Sequence, residues 1–155
     1  MTGWNRRGLW SAPRLRGRSS VTLMAVFCIA ALVRAWDYAT GTDGTAATPG
    51  SALGAIERAF PLCVWGTALA VGAALVLGGA AGRWGLAVAA GSVLLAATYF
   101  GLTVGLLVEY LGRPWFDGVR AAIGLAVPVV WHIIVANHAA TQRQALALAE
   151  GGASG

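Results

Sequence analysis

The sequence predicts an all-α integral membrane protein, a four-helix bundle with both termini in the cytoplasm. Of its 155 residues, 57% are hydrophobic and 11% are charged, whereas about 25% of the residues in a soluble domain are charged. The charged residues also cluster in short segments that separate long apolar runs. At roughly 20 residues per membrane crossing, the chain is long enough for about four crossings.

The first predicted span follows a basic N-terminal segment, residues 1–19, which contains five arginines and no acidic residue. Such a segment suits the anionic headgroups of a membrane surface. Residues 20–38 are predicted to form span 1, because a short apolar run is extended by Arg34, which is able to snorkel, and by Trp36 and Tyr38, which suit an interface. A cleaved signal peptide is the alternative interpretation of this region.

The next two spans share one long apolar stretch. The fifty residues from Ala59 to Val108 contain a single charge, Arg83, and this length is too great for one crossing but fits two. The sequence Gly82–Gly85 (GRWG) predicts a tight turn with interfacial anchors. Span 2 is therefore predicted at 62–81 and span 3 at 85–108.

The fourth span follows a polar and aromatic segment, residues 109–120, which is predicted to form an interfacial turn. Span 4 is predicted at 121–137 and contains Pro128, which a membrane helix tolerates when its neighbours satisfy the freed carbonyl. The four spans make up a bundle domain, 20–138. Residues 139–155 are predicted to be a cytoplasmic tail that begins as an extension of the last helix.

The distribution of arginine predicts the orientation. An even number of spans places both termini on one side, and this side holds seven of the eleven arginines. The excess favours a cytoplasmic location for both termini.

Charges predicted on the outer side recur at helical pairing distance. The three pairs are Arg34–Asp37, Glu109–Arg113 and Asp117–Arg120. They are consistent with a ring of ion pairs at a pore mouth or partner site. Local neutralisation of charges near lipid is the simpler interpretation, because exposed ion pairs contribute little else.

Small residues predict where the helices approach each other, since association in lipid depends on close packing and polar contacts. In span 3, Ala97, Gly101 and Gly105 repeat every four residues. In span 2, Gly78 and Gly82 form a similar pair near the cytoplasmic end. These residues are expected to pack helices within one bundle, and those of span 3 are the candidates for joining two copies of the chain into a homo-oligomer.

Weakly polar side chains form a stripe on the opposite face of span 3, at Ser92, Tyr99 and Thr103. His132 is an ionisable residue inside span 4, and such residues are candidates for proton relays. Because no acidic residue lies at similar depth, we expect a neutral imidazole that is hydrogen-bonded to a neighbour, with Ser92 as the candidate.

The sequence gives no indication of catalysis. It contains no nucleophile elbow, P-loop, HExxH or CxxC motif, and no span holds paired carboxylates. His132 and His138 are six residues apart, which does not suit a shared metal ion. Cys28 and Cys63 lie at different depths and are expected to be free thiols. We therefore expect no enzymatic activity, catalytic residue, metal or cofactor.

Several stretches resemble small four-span membrane proteins of actinobacterial phages. They are Ile56–Leu62 (IERAFPL), Val64–Gly66 (VWG) and Arg113–Gly118 (RPWFDG), and the resemblance covers Ala52 to His138. The use of arginine without lysine is similar to that of proteins from GC-rich genomes. The resemblance implies a holin, which accumulates in the host cytoplasmic membrane, oligomerises laterally and opens a timed lesion.

Two other functions remain open at this point. One is a membrane protein that binds a phage or membrane partner or excludes superinfecting phage, and the other is a small transporter or channel. In each case the lipid bilayer is the expected surrounding. Nucleic acid is not an expected partner, because the basic segment lies against a membrane that has the same charge sign as nucleic acid.

Overall fold

The structure is a computed structural model that describes residues 18–40, 53–111 and 119–152. These residues form helices and no strand, which confirms the all-α fold class. In chain order the helices are α1 (Arg18–Thr40), α2 (Gly54–Ala59), α3 (Leu62–Gly82), α4 (Gly85–Leu111) and α5 (Val119–Gly152).

Four of these helices, α1, α3, α4 and α5, are long and apolar enough to cross a membrane. Their candidate spans agree with the four predicted spans to within four residues at each end. The spans are Val21–Thr40, Leu62–Gly82, Gly85–Leu111 and Arg120–Thr141. Helix α5 is 34 residues long, or about 50 Å at the helical rise, so it continues beyond its span into the predicted tail.

The surface of the bundle is apolar along the long helices. Val33, Phe100 and Ile123 are 63%, 61% and 61% exposed. The interior, in contrast, holds small residues together with buried polar side chains such as Ser92 and His132. Water would penalise this arrangement, whereas lipid tails are as apolar as the exposed side chains.

Helices α3 and α4 form an antiparallel hairpin whose backbones meet at glycines. A Cβ atom on Gly91 would lie 2.8 Å from the carbonyl oxygen of Gly72. A Cβ atom on Gly79 would lie 2.8 Å from the backbone nitrogen of Val88. Any larger residue at these positions would force the two helices apart.

The hairpin turns at Arg83. Its φ of 58° and ψ of 34° lie in the left-handed region. The N–H of Arg83 donates to the oxygen of Ala80 at 3.3 Å, and the N–H of Trp84 donates to the oxygen of Gly79 at 2.7 Å. These bonds satisfy carbonyls at the end of α3 and reverse the chain. The turn lies where the glycines predict it, but an arginine, not a glycine, adopts the left-handed conformation.

Helix α4 lies between α3 on one side and α5 on the other, with the short helix α2 packed against its end. Helix α1 packs on α3, where a Cβ atom on Gly66 would lie 3.0 Å from the oxygen of Ala35. On the far side, Phe27 of α1 reaches Trp131 and His132 of α5 through ring contacts. Helix α2 was not predicted, since its six residues lie in a segment assigned to an outer connection.

Candidate functional site

The centre of the bundle contains His132, which is fully buried. Helix α5 places it there because Leu125, Pro128, Val135 and Ala139 are also buried and share one face of the helix at intervals of three and four residues. His132 therefore points into the bundle, although its side chain is polar.

Aromatic rings surround this imidazole. The ring of Tyr99 is stacked on it with centroids 6.3 Å apart and an interplanar angle of 7°. The ring of Phe27 meets it edge-on at 6.3 Å and 61°. Phe27 also contacts Trp131, with centroids 5.9 Å apart. The cluster joins α1, α4 and α5.

The polar atoms of this cluster lack partners. Both ring nitrogens of His132 and the Nε1 atom of Trp131 are buried without a hydrogen bond. A neutral imidazole always has one donor and one acceptor nitrogen, so each of its hydrogen-bonding groups is unsatisfied. An unsatisfied group in an apolar interior is unfavourable by about 1–3 kcal/mol.

The expected hydrogen bond between Ser92 and His132 is wrong. The Oγ atom of Ser92 is itself buried without a partner. The stacked rings place Tyr99 at the level of His132, and Ser92 is seven residues away, about 10 Å along the helix.

The other members of the predicted polar stripe are also buried. Tyr99 is 1% exposed and Thr103 is 8% exposed. The hydroxyl of Thr103 donates to the oxygen of Tyr99 at 2.7 Å, within its own helix. Threonine satisfies its hydroxyl in this way in helices, so this bond does not hold two helices together.

The glycines predicted for packing in span 3 are covered within the chain. A Cβ atom on Gly101 would lie 2.7 Å from Cη2 of Trp65, and one on Gly105 would lie 2.5 Å from Cγ1 of Ile56. Ala97 is exposed and lines an apolar groove between α4 and α5.

The glycines predicted in span 2 differ from these. A Cβ atom on Gly78 would meet nothing within 4 Å, and one on Gly82 would meet the ring of Trp84 in its own turn at 3.4 Å. The α3 surface at Gly78 is therefore open.

The predicted outer ion pairs are only partly within the described residues. Arg113 and Asp117 lie outside them, and Arg120 is exposed. Arg34 lies within hydrogen-bonding reach of Tyr38, and the structure shows no ion pair that joins Arg34 to Asp37, both of which it describes.

An unpredicted ion pair forms between α2 and α4. The Nη2 atom of Arg58 lies 3.4 Å from Oε2 of Glu109, and the arginine side chain is 72% exposed. An exposed pair of this kind contributes less than about 1 kcal/mol. It joins α2 to α4, while the N–H of Trp65 in α3 donates to the oxygen of Ile56 in α2 at 3.3 Å.

Metal ligands and thiols do not form a centre in the part of the chain that the structure describes. No three His, Cys, Asp or Glu side chains come close enough to hold a metal ion there. Cys28 is buried and free, and Cys63 is exposed and free.

Sequence reasoning missed the ring contacts of Phe27 and Trp131 and the closest backbone contact, between Gly72 and Gly91. For the glycines a signal existed: Trp65-Gly66 and Gly72 recur nineteen residues later as Trp84-Gly85 and Gly91. No comparable signal marks Phe27, because an aromatic residue in a span is equally suited to lipid.

Comparison with known proteins does not identify a relative: no family model, curated protein or solved structure matches this chain. The function is therefore argued from three features of the molecule, namely its apolar exterior, the open surface of α3 and the buried cluster around His132.

Proposed function

We propose that the protein is a holin-like, phage-type protein of the bacterial cytoplasmic membrane that permeabilises this membrane by self-association. The observation that carries the proposal is an outward ridge of small residues on α3, which no other helix of the described residues covers. Two further features support it, the apolar exterior and the excess of arginine on one side.

Membrane insertion is supported by the surface of the four long helices. Their exposed side chains are large and apolar, for example Val33 and Ile123, and each helix is long enough to cross a bilayer. The arginine-rich N-terminal segment favours a cytoplasmic location for both termini.

The self-association surface is proposed on α3 instead of α4. The sequence favoured the glycines of α4, but Trp65 and Ile56 occupy the space above Gly101 and Gly105. That face of α4 already packs against α2 and α3, so a second copy cannot contact it unless these two helices separate from α4.

The outward ridge of α3 is defined by Cys63, Thr67, Ala74, Gly78 and Ala81, all of which are exposed. At 100° per residue they lie within about 60° of arc. Small residues in a row allow two helices to approach closely, and close approach is the main source of helix association in lipid. A second copy that presents the same ridge would complete the contact.

The experiment compares two exposed glycines that have equal free space. Gly78 lies on the ridge and Gly124 lies on α5, and a Cβ atom on either would meet nothing within 4 Å. We expect Gly78→Leu to block close approach of two ridges, whereas Gly124→Leu serves as the matched control. Each variant is expressed from an inducible promoter in a bacterium, and membrane potential and oxidative cross-linking through Cys63 are followed.

The unsubstituted protein should collapse the membrane potential abruptly after a delay and should form a cross-linked dimer. Gly78→Leu should reduce the dimer by about tenfold and abolish the collapse, and Gly124→Leu should change neither. A gradual slowing of growth without permeabilisation by the unsubstituted protein would contradict the proposal. Equal dimer yields for the two variants would contradict the assignment of the ridge.

A further inference from the structure

Helices α1 and α5 meet in a different way from the other neighbouring helices. The pairs that run closest together are α4 with α5, α3 with α4, α1 with α3 and α2 with α4. Helices α1 and α5 are not among these pairs, and the ring of Phe27 in α1 contacts Trp131 and His132 in α5 at centroid distances of 5.9 and 6.3 Å. We call this boundary the α1–α5 seam.

The seam is also open on its outer side. An apolar groove of about 430 Å³ runs along it and is lined by residues of both helices. Leu23 and Phe27 of α1 form one wall, and Val127, Val130 and Trp131 of α5 contribute to the other. The rings of the seam thus separate this groove from the centre of the bundle.

The unsatisfied polar atoms are concentrated at the seam. Of the four buried side-chain atoms without a hydrogen-bond partner in the described residues, three belong to Trp131 and His132, and the fourth is the hydroxyl of Ser92. Groups of this kind are unfavourable in hydrocarbon, where water cannot replace the missing partner. Any opening that admits water at the seam satisfies all three atoms at once.

Opening of the α3–α4 hairpin does not bring the same gain. Separation of α3 from α4 would break the close approach of the backbones at Gly72 and Gly91. Neither residue has an unsatisfied side-chain atom that water could then satisfy. Two states of a bundle differ in population according to the interactions that each state gains. The balance of interactions therefore favours separation at the seam over separation of the hairpin, and α4 and α5 are held along their length as one of the closest helix pairs.

We infer that the bundle opens at the α1–α5 seam and that this opening hydrates Trp131 and His132, so that α1 and α5 contribute the water-lined surface of the lesion. The inference rests on the proposed function, because it names the part of each subunit from which the permeable path forms. Self-association through α3 leaves this seam free, since the ridge lies on a different helix.

The test uses purified full-length protein in vesicles of phosphatidylethanolamine and phosphatidylglycerol that contain a fluorescent dye. His132→Phe retains a ring to stack on Tyr99 but removes both unsatisfied nitrogens. Ser92→Ala is the matched control, because it also removes a buried unsatisfied atom. Ser92 lies about 10 Å along α4 from Tyr99, the residue that stacks on His132. Trp131→Phe keeps a ring against Phe27 and removes the indole N–H.

We expect His132→Phe to reduce dye release by about tenfold and Trp131→Phe by about threefold, since the closed state no longer contains the groups that opening would satisfy. Ser92→Ala should release dye within about twofold of the unsubstituted protein. Circular dichroism in detergent verifies that each variant is helical. If folded His132→Phe and Trp131→Phe both release dye like the unsubstituted protein, the seam does not open and the inference is overturned.

A second measurement separates the inference from the proposed function. The chain has two histidines, so His138→Gln leaves His132 as the single source of imidazole ¹⁵N signals in vesicles. Exchange of these signals with water supports an opening at the seam, and its absence overturns the inference. If the unsubstituted protein releases no dye, the proposed function is overturned, and water exchange at His132 alone then decides the inference.

Discussion

The α3–α4 hairpin and the α1–α5 seam are two interfaces of the same bundle that differ in composition, because glycines form the first and aromatic rings form the second. In the hairpin, Gly72 and Gly91 bring two backbones so close that a single added carbon would lie 2.8 Å from an oxygen atom. At the seam, α1 and α5 meet through the rings of Phe27 and Trp131, whose centroids are 5.9 Å apart.

The difference follows from how helices associate in an apolar solvent. Burial of apolar side chains yields little in lipid, so the distance of approach and the satisfaction of polar groups decide the strength of a contact. The hairpin gains from close approach. The seam lacks this gain and holds Trp131 and His132 with unsatisfied nitrogens. We therefore expect the hairpin to contribute more to the stability of the bundle than the seam does.

The largest expected effect is at the hairpin. Gly91→Ala places a methyl group against the oxygen of Gly72 and the Cβ atom of Leu75, at 2.8 Å from each, and backbone cannot rotate away as a side chain does. We expect a loss of about 2–3 kcal/mol in the free energy of unfolding, as for overpacking in a tight core. The measurement is unfolding of the helical signal by denaturing detergent in mixed micelles.

Gly124→Ala is the control for this substitution, because its Cβ atom meets nothing within 4 Å. It should leave the free energy of unfolding unchanged or raise it by less than about 1 kcal/mol, since alanine is the better helix former. Equal losses for Gly91→Ala and Gly124→Ala would show that the hairpin is not held by close approach.

A smaller effect is expected at the seam. Phe27→Leu keeps the position apolar but removes the ring contacts with Trp131 and His132. The loss of such contacts should lower the free energy of unfolding by about 1 kcal/mol, less than the addition of one methyl group at Gly91. In vesicles the same substitution should increase dye release, because it weakens the closed state. A loss larger than that of Gly91→Ala would reverse the ranking of the two interfaces.

Much of the fold could be predicted from the lengths of the apolar runs. The four candidate spans and the turn at Arg83 follow from where charges interrupt hydrophobic sequence, since hydrocarbon thickness fixes the length of each crossing. Helix α2 could not be predicted in the same way, because its short sequence mixes charged and apolar residues and becomes helical where Ile56 packs over Gly105.

The apolar pattern of the sequence does not show which face of each helix contacts another helix. In a water-soluble protein, apolar residues mark the buried face, but here both the lipid-facing and the buried faces are apolar, and 22 glycines are spread along the chain. A glycine on the open surface of the single chain, such as Gly78, looks in sequence like one packed against another helix, such as Gly101. The partner of His132 could not be read from the sequence either, because His132 lies at the level of Tyr99 and not at that of Ser92, about 10 Å away along α4.

The smallest expected effect concerns the turn that closes the hairpin. Arg83 has a φ of 58°, a conformation that is unfavourable by roughly 1–2 kcal/mol for a residue with a Cβ atom. Glycine relieves this strain but gains freedom in the unfolded chain, which offsets part of the benefit. We therefore expect Arg83→Gly to raise the free energy of unfolding by about 0.5 kcal/mol. Arg83→Ala removes the same charge and keeps the Cβ atom, so it should give no increase. If Arg83→Gly and Arg83→Ala change the free energy of unfolding equally, the charge of Arg83 and not its backbone conformation decides the stability of the turn. The stability of the hairpin would then depend on its glycine contacts and not on relief of strain at the turn.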